Sequence, residues 1–293
     1  MIKDSKYPLL AKSDSTNGIY QSVLKKDAGW QFLNFQARLM KKGEKWTGNT
    51  GGNEYAIILL GGNYSVKTDK GNWETVNGRK DVFSGIAHSL YLPRNTKFEL
   101  TAESEILDIA YGWCETNQDH PASFKRPEEA AIEIRGGDNA TRQINSLLQP
   151  GFDCHRLVSV EVYTPSGNWS SFPAHKHDTR KVDKKGNVVE AALEETYFYK
   201  IDKQQGFAIQ QVYTDDRSLN EIAVAQNNDV VLVPEGYHPV VAGHGYNVYY
   251  LNFLTGSDQS LANTDDPDHK WVYDSWQGLD PRIPMVTAEM NNK

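Results

Sequence analysis

The sequence predicts a mainly all-β protein of two tandem β-barrels with few short helices. Runs rich in Val, Ile, Tyr and Phe, bounded by Gly, Pro, Asn and Asp, recur along the whole chain. Helical patterning is confined to a short stretch near the middle. The two halves also share a pattern. "NEYAIILLGGNYSV" followed by "LYLPRNTKFEL" in the first corresponds to "EETYFYKIDKQQGFAI" followed by "VVLVPEGYHPV" in the second. Each has an acid, an aromatic strand, a turn and a later strand ending in proline, as duplication of one barrel would leave.

In order along the chain, the first half reads as strands over 55–62, 88–93, 97–102 and 106–113. The second half reads as strands over 156–165, 195–201, 206–214, 229–234 and 246–254. Between them, "RPEEAAIEI" (126–134) reads as helix, or helix then strand. "NATRQINSLL" (139–148) reads as a short helix with Asp138 or Asn139 as its N-cap. The expected domains are a barrel over 1–125, a connecting segment with a short helix over 126–155, and a second barrel with a tail over 156–293.

A chain of 293 residues, 39% hydrophobic and 24% charged, has the composition of an ordinary globular protein and can bury its core without disulfide staples. Its net charge of −7 and the lack of a basic run or recognition motif argue against nucleic-acid binding. The basic cluster at 176–185 is interrupted by acids and reads as a polar loop. The two cysteines, Cys114 and Cys154, form no metal-binding spacing and are expected as free thiols in a reducing compartment. Neither a signal peptide nor a membrane span is visible, so a cytoplasmic location is expected. Barrels with apolar, aromatic strands often associate, so a homo-oligomer is allowed, but no feature fixes its number.

The residues that carry chemistry lie in the second half. His175 and His177 sit one residue apart in "SFPAHKHD", and in a strand i and i+2 share a face. Glu195 opens an aromatic strand, and Pro234-x-Gly236-x-His238 follows. Three imidazoles and a carboxylate suit one divalent ion, with Zn, Mn, Fe and Ni all compatible. Glu194 competes with Glu195, and parity favours Glu195: its face then carries Tyr197, Tyr199 and Ile201, while Lys200 points away. In the first half, Glu54 has no paired histidines before it and His88 stands alone. That barrel is expected to lack a metal site, and His88 to be structural.

This order resembles the two cupin motifs, in which the corresponding His, His, Glu and His bind one metal inside a double-sheet barrel. There are departures. The segment between His177 and Glu195 is longer than in a compact cupin, and Ala242 stands where asparagine is frequent. "IRGGDNATRQINSLL", "VEVYTPSGNWSSFPAHKHD", "LEETYFYKI", "VPEGYHPVVAGHGYNVYYLNFLTG" and "HKWVYDSWQGLDPRIP" together resemble the 5-deoxy-glucuronate isomerases, bicupin enzymes of bacterial myo-inositol breakdown. The resemblance is specific over about 130–285 and weaker before that. Ala174 and His244 depart from it without touching a proposed ligand. The related 4-deoxy-5-ketouronate isomerases share the barrel and the ligands.

The resemblance implies an aldose–ketose isomerisation of 5-deoxy-D-glucuronate to 5-dehydro-2-deoxy-D-gluconate, with His175, His177, Glu195 and His238 on the metal. Such a reaction needs polarised oxygens and a group that moves protons. Asp178, Tyr197 and Tyr249 are the candidates for proton transfer, with Tyr250 as alternative to its neighbour. The substrate carboxylate calls for a guanidinium fork. Arg142, on the expected helix, is the first choice, followed by Arg135 and Arg156; Tyr199 is a further substrate contact. An Fe(II) cupin dioxygenase would instead show iron-dependent oxygen uptake. A non-catalytic sugar-binding cupin would bind without turnover.

Overall fold

The computed structural model describes residues 9–13 and 18–292. In the first half, Ile19–Val23, Asn34–Lys41, Ile106–Glu115, Asn53–Gly61, Ser89–Leu92 and Ser123–Lys125 lie side by side in a six-stranded antiparallel sheet. Lys45–Asn49, Lys97–Ala102, Tyr64–Thr68 and Gly71–Glu74 form a four-stranded sheet facing it. The second half repeats this order. Its large sheet runs Arg142–Leu148, Val158–Thr164, Val248–Gly256, Leu193–Ile201, Val230–Val233, with Ala131–Arg135 and Leu10–Ala11 added at the edges. Its small sheet runs Trp169–Ser170, Val240–Ala242, Ala208–Tyr213, Asn220–Ala225. The shared strand order agrees with the internal repeat. Each half is a pair of facing sheets with open edges, not a cylinder closed by hydrogen bonds.

Strand parity explains the layering. One core lies inside the first half, among Ile57, Leu59, Tyr111 and Leu100. A second lies inside the second half, among Val162, Tyr197, Tyr199 and Tyr250. The largest lies between the backs of the two large sheets, among Phe35, Phe198, Leu251 and Phe253. The large-sheet strands are therefore buried on both faces and read as near-continuous apolar runs.

Two carboxylates fasten the halves reciprocally. Glu54 accepts the backbone N–H groups of His155, Arg156 and Leu157, just before Val158–Thr164. Glu194 accepts those of Gln31, Phe32 and Leu33, just before Asn34–Lys41. Arg79, fully buried, donates to Glu161 at 2.8 Å and to the Leu59 carbonyl, adding an ion pair between the halves.

The expected helix over 139–148 is absent. Only a single 3-10 turn, Asp138–Ala140, precedes the strand Arg142–Leu148. That strand pairs with Val158–Thr164 on one side and Ala131–Arg135 on the other, and sheet pairing overrides a weak helical propensity. Its polar residues have buried partners: Gln143 bonds the Val286 carbonyl and Asn145 bonds Glu161. The segment 126–134 is a 3-10 turn followed by the strand Ala131–Arg135. The connecting segment thus supplies two strands to the second half's sheet. Among the described residues, no helix is long and apolar enough to cross a membrane.

Candidate metal centre and active site

Glu195 lies on Leu193–Ile201, opposite Val233 on one neighbour and Leu254 on the other. It points into the second half, as parity requires. His238 is presented by the turn between Val230–Val233 and Val240–Ala242. Gly236 holds this turn with φ +85°, and a Cβ there would stand 2.4 Å from the Tyr213 carbonyl, so only glycine fits. The Gly236 N–H donates to Asp178 Oδ2 (3.1 Å), and the Gly236 carbonyl pairs with His238 Nδ1 (2.8 Å). With Nδ1 protonated by that bond, Nε2 carries the lone pair. Nε2 is buried without a hydrogen-bond partner, 3.4 Å from Glu195 Oε2.

His177 Nε2 lies 2.9 Å from the same Glu195 oxygen, and its carbonyl accepts from the Leu193 N–H. One ligand atom each of His177, Glu195 and His238 fall within 4.8 Å of one another. His175 stands at the edge of this group. Its ring lies 4.9 Å from that of His238 and 6.4 Å from that of His177, and it lines the cavity. Burial, and the charges of His238 and His177, hold the His175 pKa well below the imidazole range. Burial brings His238 to about 4, although Glu195 opposes the shift. Burial also pulls on His177, but its hydrogen bond to Glu195 and that residue's charge leave its pKa raised. An orphaned buried imidazole nitrogen, converging on a carboxylate beside two further imidazoles, fits a divalent cation.

The cluster opens into a recess lined among others by Arg135, Arg142, Ser171, Tyr197, Tyr250 and Asn252. Arg142 is nearly buried, and its Nη1 donates to the carbonyls of Ala140 and Phe172. It reaches the recess from a strand, not from a helix. Arg135 also lines the recess but is paired with Glu133 at 2.8 Å. Arg156 lies elsewhere, bonded to the Gly256 carbonyl and packed over Phe32. The segment from Thr264–Asp265, which pairs with His175–Lys176, runs on past the mouth: His269 packs on Phe172, and Trp276 lies against Gly137.

Three expected positions need correction. Tyr249 is on the wrong face of Val248–Gly256. Tyr199 stands opposite Tyr250, so Tyr250 shares the site's face, while Tyr249 packs on Tyr163 between the two halves. Asp178 does not line the recess; it holds Gly236 N–H and the Thr179 hydroxyl, and so braces the turn that carries His238. Tyr199 is fully buried one layer below, bonded to Gln210. Glu194 faces away into its clamp, and His244 is exposed. Of the two adjacent tyrosines the sequence offers, strand pairing from Glu195 selects Tyr250; Ser170 and Ser171, which meet it, carry no sequence signal.

In the first half Tyr55 stands opposite Leu92 as Glu195 does opposite Val233, and Tyr55 stacks on Trp113 at 5.4 Å.

A model of the KduI/IolB family matches residues 9–272. A 5-deoxy-glucuronate isomerase of Geobacillus thermodenitrificans is 38% identical over 272 residues, 92% of this chain and 97% of the relative. One from Bacillus subtilis strain 168 is 34% identical, covering 90% of this chain and 98% of the relative. The crystal structure of an IolB-like protein from Salmonella typhimurium superposes with a TM-score of 0.85 at 36% identity, over 90% of this chain and 99% of that one. Oxalate decarboxylase from Bacillus subtilis superposes with a TM-score of 0.63 at 12% identity, over 89% of this chain and 80% of that one. That likeness shows a shared cupin fold alone.

Proposed function

The chain belongs to the KduI/IolB family, and from that premise we propose that it isomerises 5-deoxy-D-glucuronate to 5-dehydro-2-deoxy-D-gluconate, as an intracellular step of inositol breakdown. The observation that carries the reading is the convergence of His177, Glu195 and His238 at the head of an arginine-lined recess, in a chain that spans nearly the whole length of isomerase relatives. His177, Glu195, His238 and, from the edge of the cluster, His175 would hold one divalent metal. The chemistry it supplies when bound is Lewis-acid polarisation of the C1 and C2 oxygens.

The remaining work belongs to the chain. Arg142 receives the substrate carboxylate: it lines the recess, and its guanidinium has no carboxylate partner among the described residues. Arg135 contributes at the mouth. Tyr197 and Tyr250 direct hydroxyls toward the substrate oxygens. Asp178 acts at one remove, by fixing the turn of His238.

The test is NMR of the metal-analysed protein with 5-deoxy-D-glucuronate in D2O, beside a His175→Ala/His177→Ala variant. Formation of the 2-deoxy-5-keto acid by the wild type, with loss of metal and turnover in the variant, is the expected result. A metal-loaded wild type that leaves this substrate unchanged but converts 4-deoxy-5-ketouronate would move the assignment to the other branch of the family.

A further inference from the structure

Four hydroxyl groups meet at one wall of the recess. Ser170 Oγ lies 2.6 Å from Tyr250 Oη, and Ser171 Oγ lies 3.1 Å from Tyr197 Oη. Ser171 Oγ and Tyr250 Oη, 3.5 Å apart, link the two pairs. That link is long, as catalytic hydrogen bonds often are before substrate tightens them. Ser171, Tyr197 and Tyr250 line the recess, whereas Ser170 is fully buried.

The backbone supports a purpose for this arrangement. Ser171 is a non-glycine residue at φ +50°, a left-handed conformation that non-glycine residues rarely adopt. It turns a serine hydroxyl to a position between two tyrosines.

The direction of the chain follows from hydrogen-bond accounting. Four hydroxyls have four protons, and three links use three of them. Among the described residues the Ser170 hydroxyl has Tyr250 as its hydrogen-bond partner, and a buried donor left unpaired is unfavourable. Ser170 therefore donates to Tyr250, which leaves the Tyr250 proton available to Ser171 and the Ser171 proton available to Tyr197, although either oxygen of those two pairs could be the donor. In the arrangement that runs from Tyr250 to Tyr197, the fourth proton is on Tyr197 and Tyr250 keeps a free lone pair.

We propose that Tyr250, Ser171 and Tyr197 form a relay that carries the hydroxyl proton of the aldose from O2 to O1, with Ser170 as the residue that sets its direction. The proposal rests on the isomerase reading and deepens it. In the isomerisation the O2–H and C2–H bonds break, and O1–H and C1–H bonds form. The C1 carbonyl becomes a hydroxyl, the C2 hydroxyl becomes a carbonyl, and no oxidant is needed. Tyr250 accepts the O2 proton and passes its own to Ser171; Ser171 passes its proton to Tyr197, which delivers one to O1. Each relay group gains and loses one proton, and none is left ionised. The hydrogen on carbon moves separately.

Ser171→Gly is the informative variant. Glycine relieves the strained backbone and removes the hydroxymethyl group that carries the hydroxyl. Steady-state kinetics of the metal-loaded protein with 5-deoxy-D-glucuronate should show kcat lowered about 10²-fold or more, KM within threefold, and metal content and Tm at or above wild type. Tyr250→Phe should lose a similar factor. The double variant should fall no further than either single, because removing one link already breaks the relay. A Ser171→Gly enzyme with kcat within threefold of wild type overturns the relay. Losses that multiply in the double variant also overturn it, leaving two independent contacts. A wild type without turnover removes the isomerase reading and the relay with it, so the two failures are told apart by the wild-type arm.

Discussion

Replacing Arg142 by alanine tests how the recess selects its substrate. Two of the guanidinium's hydrogen bonds, both from Nη1, go to the carbonyls of Ala140 and Phe172 at 3.3 and 3.2 Å. Nε–H and the Nη2 protons remain, a geometry that suits two parallel bonds to a carboxylate. Burial lowers the Arg142 pKa, and among the described residues no carboxylate forms an ion pair with it, although Glu133 lines the same recess and feels its charge. Two charge-assisted bonds contribute about 1.5–3 kcal/mol each in buried settings. The mouth is solvated, so the lower end applies: about 3 kcal/mol in all, a change in KM on the order of 10²-fold. The carboxylate is remote from the reacting carbons, so kcat should change little. Arg135→Ala should cost less than tenfold, since Arg135 is already paired with Glu133 and is 43% exposed. The assay is steady-state kinetics on 5-deoxy-D-glucuronate and on an analogue with the carboxylate reduced to an alcohol. Arg142→Ala should raise KM only for the acid. Equal effects on both compounds, or a KM within threefold of wild type for the acid, would refute the assignment of Arg142 to the carboxylate.

Other perturbations have distinct signatures. Chelation should lower Tm, by about 4 kcal/mol of stability where free metal had stood a thousandfold above its Kd, and His238→Ala should abolish that metal-dependent increment. Glu194→Ala leaves the N–H groups of Gln31, Phe32 and Leu33 without their acceptor. It should cost about 3 kcal/mol in denaturant unfolding, with kcat per folded molecule unchanged, and Glu54→Ala should cost more because Glu54 is fully buried. Tyr249→Phe should leave kcat within twofold of wild type, since Tyr249 faces the interface between halves. Burial, aided by the Arg79 and Arg126 charges, lowers the His88 pKa to about 4. The unfolded chain takes up that proton near pH 6.5, so the stability from His88 is complete above pH 6.5, falls as pH drops, and levels off below 4. At 1.36 kcal/mol per pH unit the loss is about 3 kcal/mol; urea unfolding of wild type and His88→Gln at pH 7 and pH 4 should diverge by that amount.

Much of the architecture was legible because strand periodicity is local. The runs over 97–102, 195–201 and 246–254 appear as Lys97–Ala102, Leu193–Ile201 and Val248–Gly256. The parity that chose Glu195 over Glu194 is a property of one strand, and it gave the right face. Parity between strands is not local. Whether Tyr249 or Tyr250 shares a face with Glu195 depends on register, which two separated segments fix only when they pair. Arg142–Leu148 illustrates the same limit: with its neighbours on both sides it is a strand, and without them its residues favour a helix.

The sequence by itself determined the fold class and the repeat, and nominated His175, His177, Glu195 and His238 as candidate ligands, because their order and strand context are written along the chain. Tertiary structure alone decided that His177, Glu195 and His238 converge most tightly, that Asp178 braces a turn, and that Ser170, Ser171 and Tyr250 meet Tyr197. These contacts join residues tens of positions apart, and their geometry is set by sheet pairing and loop closure, which leave no mark on the residues individually.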